Sequence, residues 1–329
     1  MERAATIKDI ARELGVSTST VSRILNGKNQ RNQELVKKVQ EAAKRLNYQV
    51  NTTARGLRTN KSGLLGIIVP YISDEFFSSA LAGIEAVTEL QGYNLLICQS
   101  NENPEKEAEF VKSLLACNVE GILISVTRNT PDVGFLEVAK AAGKKIVMFD
   151  RVIAQEDYPC IKSNDRIGAY KAGQHLLKTG KSKFLYIGFS ARLAIDIERL
   201  AGYNEALAEA GEQPCETLYV DGMEAVQEGL ADIWQNQYDA VLGFYDEVAA
   251  EAMTFLKSRN VTIPGQVAVI GFDNRNFCKY TTPPLTSIEH PGRKMGSLAA
   301  EALLGALNEE EVEQVVLDTH VVVRESSAR

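Results

Sequence analysis

Long apolar runs are missing from this sequence. None approaches the roughly 20 residues needed to cross a bilayer, and the opening MERAATIKDI has no apolar signal core. Cysteine is scarce. Five residues, at 98, 117, 160, 215 and 278, are odd in number and lack CxxC spacing, which argues against a disulfide framework and for reduced thiols in the cytoplasm. Histidine is scarcer still: His175, His290 and His320 show no i, i+4 pairing of the kind that holds a metal on a helix. Catalytic signatures are also absent. Gly180-Lys181-Ser182 looks like the end of a phosphate loop, but His175 stands where its first glycine is required. Gly188-Phe189-Ser190 begins like a nucleophile elbow, but Arg192 takes the place of the closing glycine. No carboxylate pair is nominated by spacing. The expectation is a protein that is not an enzyme, with no metal, no cofactor and no membrane partner.

What is present is an ordinary soluble composition, 45% apolar and 24% charged, over 329 residues, a length that suggests two or three domains. The net charge of −7 conceals a division. Residues 1–62 carry 13 Lys/Arg against 5 Asp/Glu, and the remainder carries 23 against 38. A basic head on an acidic body points to a polyanion met by the head alone; a merely solvated basic surface has the same composition.

Within the head, Thr6-Ile7-Lys8-Asp9 reads as a variant capping box opening a helix with Ile7, Ile10, Ala11 and Leu14 on one face, stopped by Gly15. Ser17 can cap a second helix in which Val21, Ile24 and Leu25 face a core. The opposite stripe is Ser19, Ser22, Arg23 and Asn26, with Thr18 at its edge. Two short helices joined by a glycine turn describe a helix-turn-helix. Short hydroxyl side chains bring a helix close to phosphates and base edges, and Arg23 and Asn26 add directional donors. An amphipathic helix with a solvated polar face is the plain alternative. A third helix, capped near Asn32, closes the core with Leu35, Val36, Val39, Ala42, Ala43 and Leu46.

TIKDIARELGVSTSTVSRILNG followed by LNYQVNTTARGLR resembles the headpiece and hinge of the lactose-repressor (LacI/GalR) family of bacterial transcription regulators. The resemblance places Ser17, Thr18, Ser19, Ser22, Arg23 and Asn26 on or at the recognition helix, and has Thr6, Lys8 and Tyr48 help to hold DNA. It makes NTTARGLR a hinge helix contacting DNA through Asn51, Ala54 and Arg55, with Leu57 as a minor-groove wedge. A helix this short is unstable alone, so it is expected to fold on an operator. Val50 stands where the family usually has proline.

From Leu64 a strand–helix rhythm sets in, with LLGIIV, NLLICQS, GILISV and KIVMFD in one series and FLYIGF, TLYVDG, DAVLGF and QVAVIGF in a second. Continuous apolar strands alternating with helices mean parallel sheets covered on both faces. Two series mean two doubly wound lobes, with a ligand site in the cleft at the strands' carboxyl ends. Those ends offer Phe76, Phe77, Ser125, Asp150, Arg151, Tyr245, Asp246 and Asp273, with Arg199 in the 192–199 stretch. Aromatic faces with carboxylates and guanidiniums suit a polyol. Residue type alone equally allows Asp273 to cap a turn, Arg199 to sit in a surface ion pair, and the phenylalanines to be core.

FDR, ERLAGY, DEVA, VAVIGFDN, PPLTSIEHP and VVVRES continue the resemblance in order through the body. It implies a periplasmic-binding-protein-like fold whose effector cleft is lined by Phe76, Phe77, Asp150, Arg199, Tyr245, Asp273 and His290. His290 stands where glutamine is common, and Asp74-Glu75 where many relatives read Asn-Pro. The resulting charge balance disfavours a strongly anionic effector. The expected organisation is a helix-turn-helix head (1–49), a hinge (50–60) and a two-lobed α/β effector and dimerisation domain (61–329). The expected function is a repressor that binds a near-palindromic double-stranded operator as a homodimer without an added tetramer module. Its control would come from a sugar or sugar derivative in the cleft. A protein co-effector, or a plain sugar-binding protein, are the alternatives.

Overall fold

The computed structural model describes residues 5–25, 32–46, 48, 62–153, 157–191, 193–235 and 237–328. Its contacts divide the chain into two units, Met1–Ser62 and Gly63–Arg329.

In the first unit, α1 (Ile7–Glu13), α2 (Thr18–Leu25) and α3 (Gln33–Arg45) enclose a small core. Thr6 starts α1 by donating from its N–H (2.8 Å) and hydroxyl (2.6 Å) to the Asp9 carboxylate. Gly15, at φ 62°, makes the turn into α2, in a left-handed conformation that costs glycine little. Ser17 accepts the Thr20 N–H at 3.1 Å, and Asn32 accepts the Leu35 N–H at 3.0 Å to start α3. Ile10, Val21, Ile24 and Val39 are buried together, with Tyr48 packed at their edge.

The second unit holds two six-stranded sheets. The first has the order β11-β5-β4-β3-β1-β2 and the second β12-β10-β9-β8-β6-β7. The first-sheet strands are β1 (Leu64–Val69), β2 (Asn94–Gln99), β3 (Gly121–Ile124), β4 (Lys145–Phe149), β5 (Cys160–Ser163) and β11 (Val315–Leu317). The second-sheet strands are β6 (Phe184–Gly188), β7 (Glu216–Tyr219), β8 (Ala240–Gly243), β9 (Ala268–Asp273), β10 (Thr286–Glu289) and β12 (His320–Val322). Every pairing is parallel except β10–β12. Strand β1 shows why these runs are apolar throughout. Leu65, Ile67 and Val69 join one core and Ile68 joins the other, on the opposite face of the sheet. Each such buried side chain contributes roughly 1.5–3 kcal/mol.

Helices cover both sheets: α4 (Glu75–Leu90), α5 (Pro104–Ala116), α6 (Glu137–Ala141) and α11 (Gly292–Leu307) in the first lobe; α7 (Asp165–Lys178), α8 (Ala194–Glu209), α9 (Val226–Ile233) and α10 (Asp246–Ser258) in the second. In each lobe one helix pair approaches backbone to backbone. A Cβ on Gly296 of α11 would meet the Ala80 carbonyl oxygen of α4 at 2.0 Å, and one on Gly202 of α8 would meet the Arg166 carbonyl oxygen of α7 at 2.1 Å. Only glycine allows that contact.

The chain passes between lobes three times: from β5 into α7, from β10 into α11, and from β11 into β12. Residues at the first two passages form the floor of the cleft. Among the described residues no helix is long and apolar enough to cross a membrane.

Candidate DNA-reading head and ligand cleft

On the head, Thr18, Ser19 and Arg23 of α2 are exposed and Ser22 is half-buried, on the face opposite buried Val21 and Ile24. Ser17 is committed to its cap, with its hydroxyl also 2.8 Å from those of Ser19 and Thr20. Lys8 is exposed on α1, Thr6 and Tyr48 are half-buried, and Lys37 and Lys44 are exposed on α3. One helix thus presents three hydroxyls and a guanidinium without a hydrophobic residue among them, a surface suited to phosphates and base edges. Asn26, Asn51, Ala54, Arg55 and Leu57 lie outside the described residues.

In the body, the strand ends converge on a central chamber of about 40 Å³ lined by Phe76, Phe77, Asp150, Arg151, Arg199, Tyr245, Asp273 and His290 from the expected set. Asp74, Ile195, Phe244 and Arg275 join them. Larger recesses adjoin on either side. One of about 560 Å³ shares Phe76, Asp273, Arg275 and His290; another, of about 300 Å³, shares Asp150, Arg151 and Ile195.

Two of the expected cleft residues stand behind the chamber wall. Ser125 is fully buried and donates to Asp150 at 3.2 Å. Asp246 is fully buried and accepts the Ser287 hydroxyl at 2.5 Å and the Arg275 N–H at 2.7 Å. Ser125 follows β3 directly and Asp246 opens α10 three residues after β8, but hydrogen bonds within the protein hold them beneath the lining.

The lining side chains form one polar chain across the lobes. Arg199, 2% exposed, donates to Asp165 at 2.8 Å and to the Phe244 carbonyl, and its guanidinium lies 3.5 Å from the Phe272 ring centre. That burial excludes a surface ion pair. Asp165 accepts the Ser163 hydroxyl at 2.7 Å, and Ser163 lies 3.1 Å from His290 Nε2. His290 Nδ1 is 3.2 Å from Asp273, its Nε2 is 3.6 Å from Asp150, and its ring stacks on Phe76 at 4.1 Å. Asp74 caps α4 by accepting the Phe76 N–H at 2.9 Å and receives Arg275 at 2.8 Å. Arg151 is drawn aside to Glu102, at 2.6 Å.

Asp150 and Asp273 take left-handed backbone conformations, at φ 60° and 104°. Such strain costs about 1–3 kcal/mol per residue and is found where a side chain must be aimed. Burial pushes the Asp150 carboxyl up to about 6, against the pull of His290 and Arg151. Burial also opposes ionisation of Asp273, but the His290 hydrogen bond and the Arg275 charge outweigh it and hold that carboxyl near 2. Burial likewise opposes charge on His290, and the hydrogen bond to Asp273 with the charge of Asp150 overrides it, raising the imidazole. Among the described residues no group of His, Cys, Asp and Glu is arranged to hold a metal ion.

A helix-turn-helix head together with a two-lobed body closed around a polar cleft defines a transcription regulator with an effector-binding domain. Comparison with known proteins agrees. The family of bacterial regulatory proteins of lacI type matches residues 6–51, and the periplasmic binding protein-like domain matches residues 174–327. The chain is 30% identical to the HTH-type transcriptional repressor PurR of Vibrio atlanticus (strain LGP32), over 98% of both chains. Its backbone resembles that of the lac repressor dimer bound to operator and the anti-inducer ONPF, with a TM-score of 0.88 at 23% identity over 99% of this chain and 100% of that one. A complex of the transcriptional regulator CelR with cellobiose gives a TM-score of 0.71 at 25% identity, over 98% and 99% of the two chains. This chain belongs to the lacI family of bacterial regulatory proteins.

Proposed function

We propose that the protein represses transcription by binding a near-palindromic operator as a homodimer, and that a sugar or sugar derivative in the interlobe cleft sets its operator affinity. Residues 1–49 would read DNA, 50–60 would form the hinge, and 61–329 would bind effector and dimerise. The observation that carries the effector reading is the cleft's composition. Phe76, Phe77, Phe244 and Tyr245 surround buried Asp150, Arg199 and His290 and partly buried Asp273, which combines flat apolar faces with groups that pair hydroxyls. The likeness to a regulator complexed with cellobiose supports the same class. Closure around such a ligand would alter the lobes' relation and so the affinity for DNA, and the coupling must be reciprocal, at roughly 1–3 kcal/mol.

A thermal-shift panel of neutral mono- and oligosaccharides, uronates, sugar phosphates and purines tests the effector. Concentration-dependent stabilisation by one neutral sugar class is expected, and a response to purines alone overturns the sugar assignment. For the head, operator affinity should fall at least about tenfold between 50 and 200 mM salt through counterion release. Arg23→Ala should abolish operator recognition while leaving the thermal-shift response intact. Normal operator binding by that variant would refute the placement of the recognition face.

A further inference from the structure

One enclosed cation of the cleft is not singled out by residue spacing. Arg275 sits two residues past the end of β9, its side chain 9% exposed. Its Nη2 reaches Asp74 of the first lobe at 2.8 Å and Asp273 of the second at 3.0 Å. Its Nε reaches Asp273 at 3.2 Å, and its Nη1 donates to Glu247. A guanidinium has five N–H groups, and four hydrogen bonds to three carboxylates leave almost none for a ligand. The flat face is taken up as well, 5.2 Å from the Tyr245 ring centre. Accepting capacity is left beside it: Glu247 Oε2 is buried with no hydrogen-bond partner, and one Asp150 oxygen has a single hydrogen bond, from the Ser125 hydroxyl at 3.2 Å.

We propose that Arg275 is a specificity-determining residue: saturated by carboxylates from both lobes, it closes the cleft to anionic ligands and reserves it for compounds rich in hydroxyl or ammonium donors. This rests on the cleft being the effector site. A phosphate or carboxylate entering the chamber finds Arg275 already neutralised and must displace Asp74, Asp273 or Glu247 to reach it, bringing like charges together in a buried space. A hydroxyl or ammonium group instead meets the Asp74, Asp150 and Asp273 carboxylates on the chamber wall, each of which can accept further hydrogen bonds. The same guanidinium ties Asp74 to the opposite lobe, so ligand choice and lobe closure are set by one side chain.

Two measurements decide this. In the first, Arg275→Ala in the full chain leaves a guanidinium-shaped gap among three carboxylates. Its melting temperature should drop by roughly 5–10 °C and should recover at least in part with millimolar methylguanidinium but not with methylammonium. Absence of selective recovery means that the cage does not hold a guanidinium, and it overturns the proposal whatever the effector is. In the second, glucuronate and glucose 6-phosphate are titrated by calorimetry into wild type and into the Asp74→Asn/Glu247→Gln variant, which frees Arg275 donors without removing the arginine. Wild type should give no measurable heat, and the variant should bind both anions at least tenfold more tightly than wild type. Binding of either anion by wild type, or no gain in the variant, refutes the assignment. Failure of the sugar reading has a different signature: no wild-type response to any neutral sugar, with methylguanidinium recovery intact.

Discussion

Asp150 and Asp273 occupy the same place in two lobes. Each ends or follows the third strand from one edge of its sheet, each adopts a positive φ, and each faces His290. Their electrostatics are nevertheless opposite, with one carboxyl near 6 and the other near 2. The backbone slot does not explain this. His290 hydrogen-bonds Asp273 at 3.2 Å but stands 3.6 Å from Asp150, and two residues further on the second lobe has Arg275, bonded to Asp273, where the first lobe has buried Val152. The neighbouring charge of Arg151, which might have matched it, is 4.0 Å away and turned to Glu102. A repeated architecture fixes where a carboxylate sits, and its local partner decides whether it is charged.

Removing each carboxylate should break the symmetry most visibly. Asp273→Asn leaves Arg275 and His290 short of a buried counter-charge and should cost about 3–5 kcal/mol in urea unfolding at pH 7. Asp150→Asn removes a charge that its site disfavours and should cost under about 1 kcal/mol. Equal losses would show that Arg275 is not what separates them.

The pH dependence should show an intermediate effect. Asp150 holds its proton more tightly folded than unfolded. Its contribution is therefore complete below the ordinary carboxyl value of 3.8 and is lost as pH rises through about 6. His290, also raised, and Asp246, pushed up to about 7 mainly by burial, act with the same sign. Wild-type stability should fall between pH 5 and pH 8, with Asp150 contributing on the order of 1 kcal/mol to that fall, and Asp150→Asn should flatten that slope. Asp273 works the other way. Its contribution is present above 3.8 and lost only as pH falls towards 2. A wild-type profile that rises from pH 5 to pH 8 would contradict the comparison.

A modest effect is expected for His290→Gln. An amide can keep one hydrogen bond to Asp273, so the loss at pH 8 should be near 1 kcal/mol, growing towards pH 5 where the imidazolium is lost. Equal losses at the two pH values would mean that His290 acts without its charge.

Much of this was legible in the sequence. Eight strands announced themselves as apolar runs, the central ones because both faces of each sheet are covered, and the head was readable from its capping box, glycine turn and split α2. The strands at the passages between lobes were harder. CIKS and TSIE are four residues long and carry polar side chains inward, with Ser163 and Ser287 committed to the cleft's hydrogen bonds. Arg275 was missed because it follows Asp273-Asn274 as one polar loop residue among several, and its partners Asp74 and Glu247 lie 201 and 28 positions away. Ser125 and Asp246 were correctly placed at strand ends but could not be assigned to the wall or the space behind it, since that depends on side-chain direction.

The interleaving of the lobes bears on how the chain emerges from the ribosome. Most of the second lobe is contiguous, from α7 through β10. The first lobe instead waits for α11, whose Met295, Ala299, Ala300 and Leu303 complete its core, and for β11 with Leu317. The lobe whose synthesis begins first therefore stays open almost to the end of the chain. Until residue 317 has been made, the exposed apolar face of α4 and β1 has no cover of its own, and that nascent surface is where a holding chaperone would be needed most.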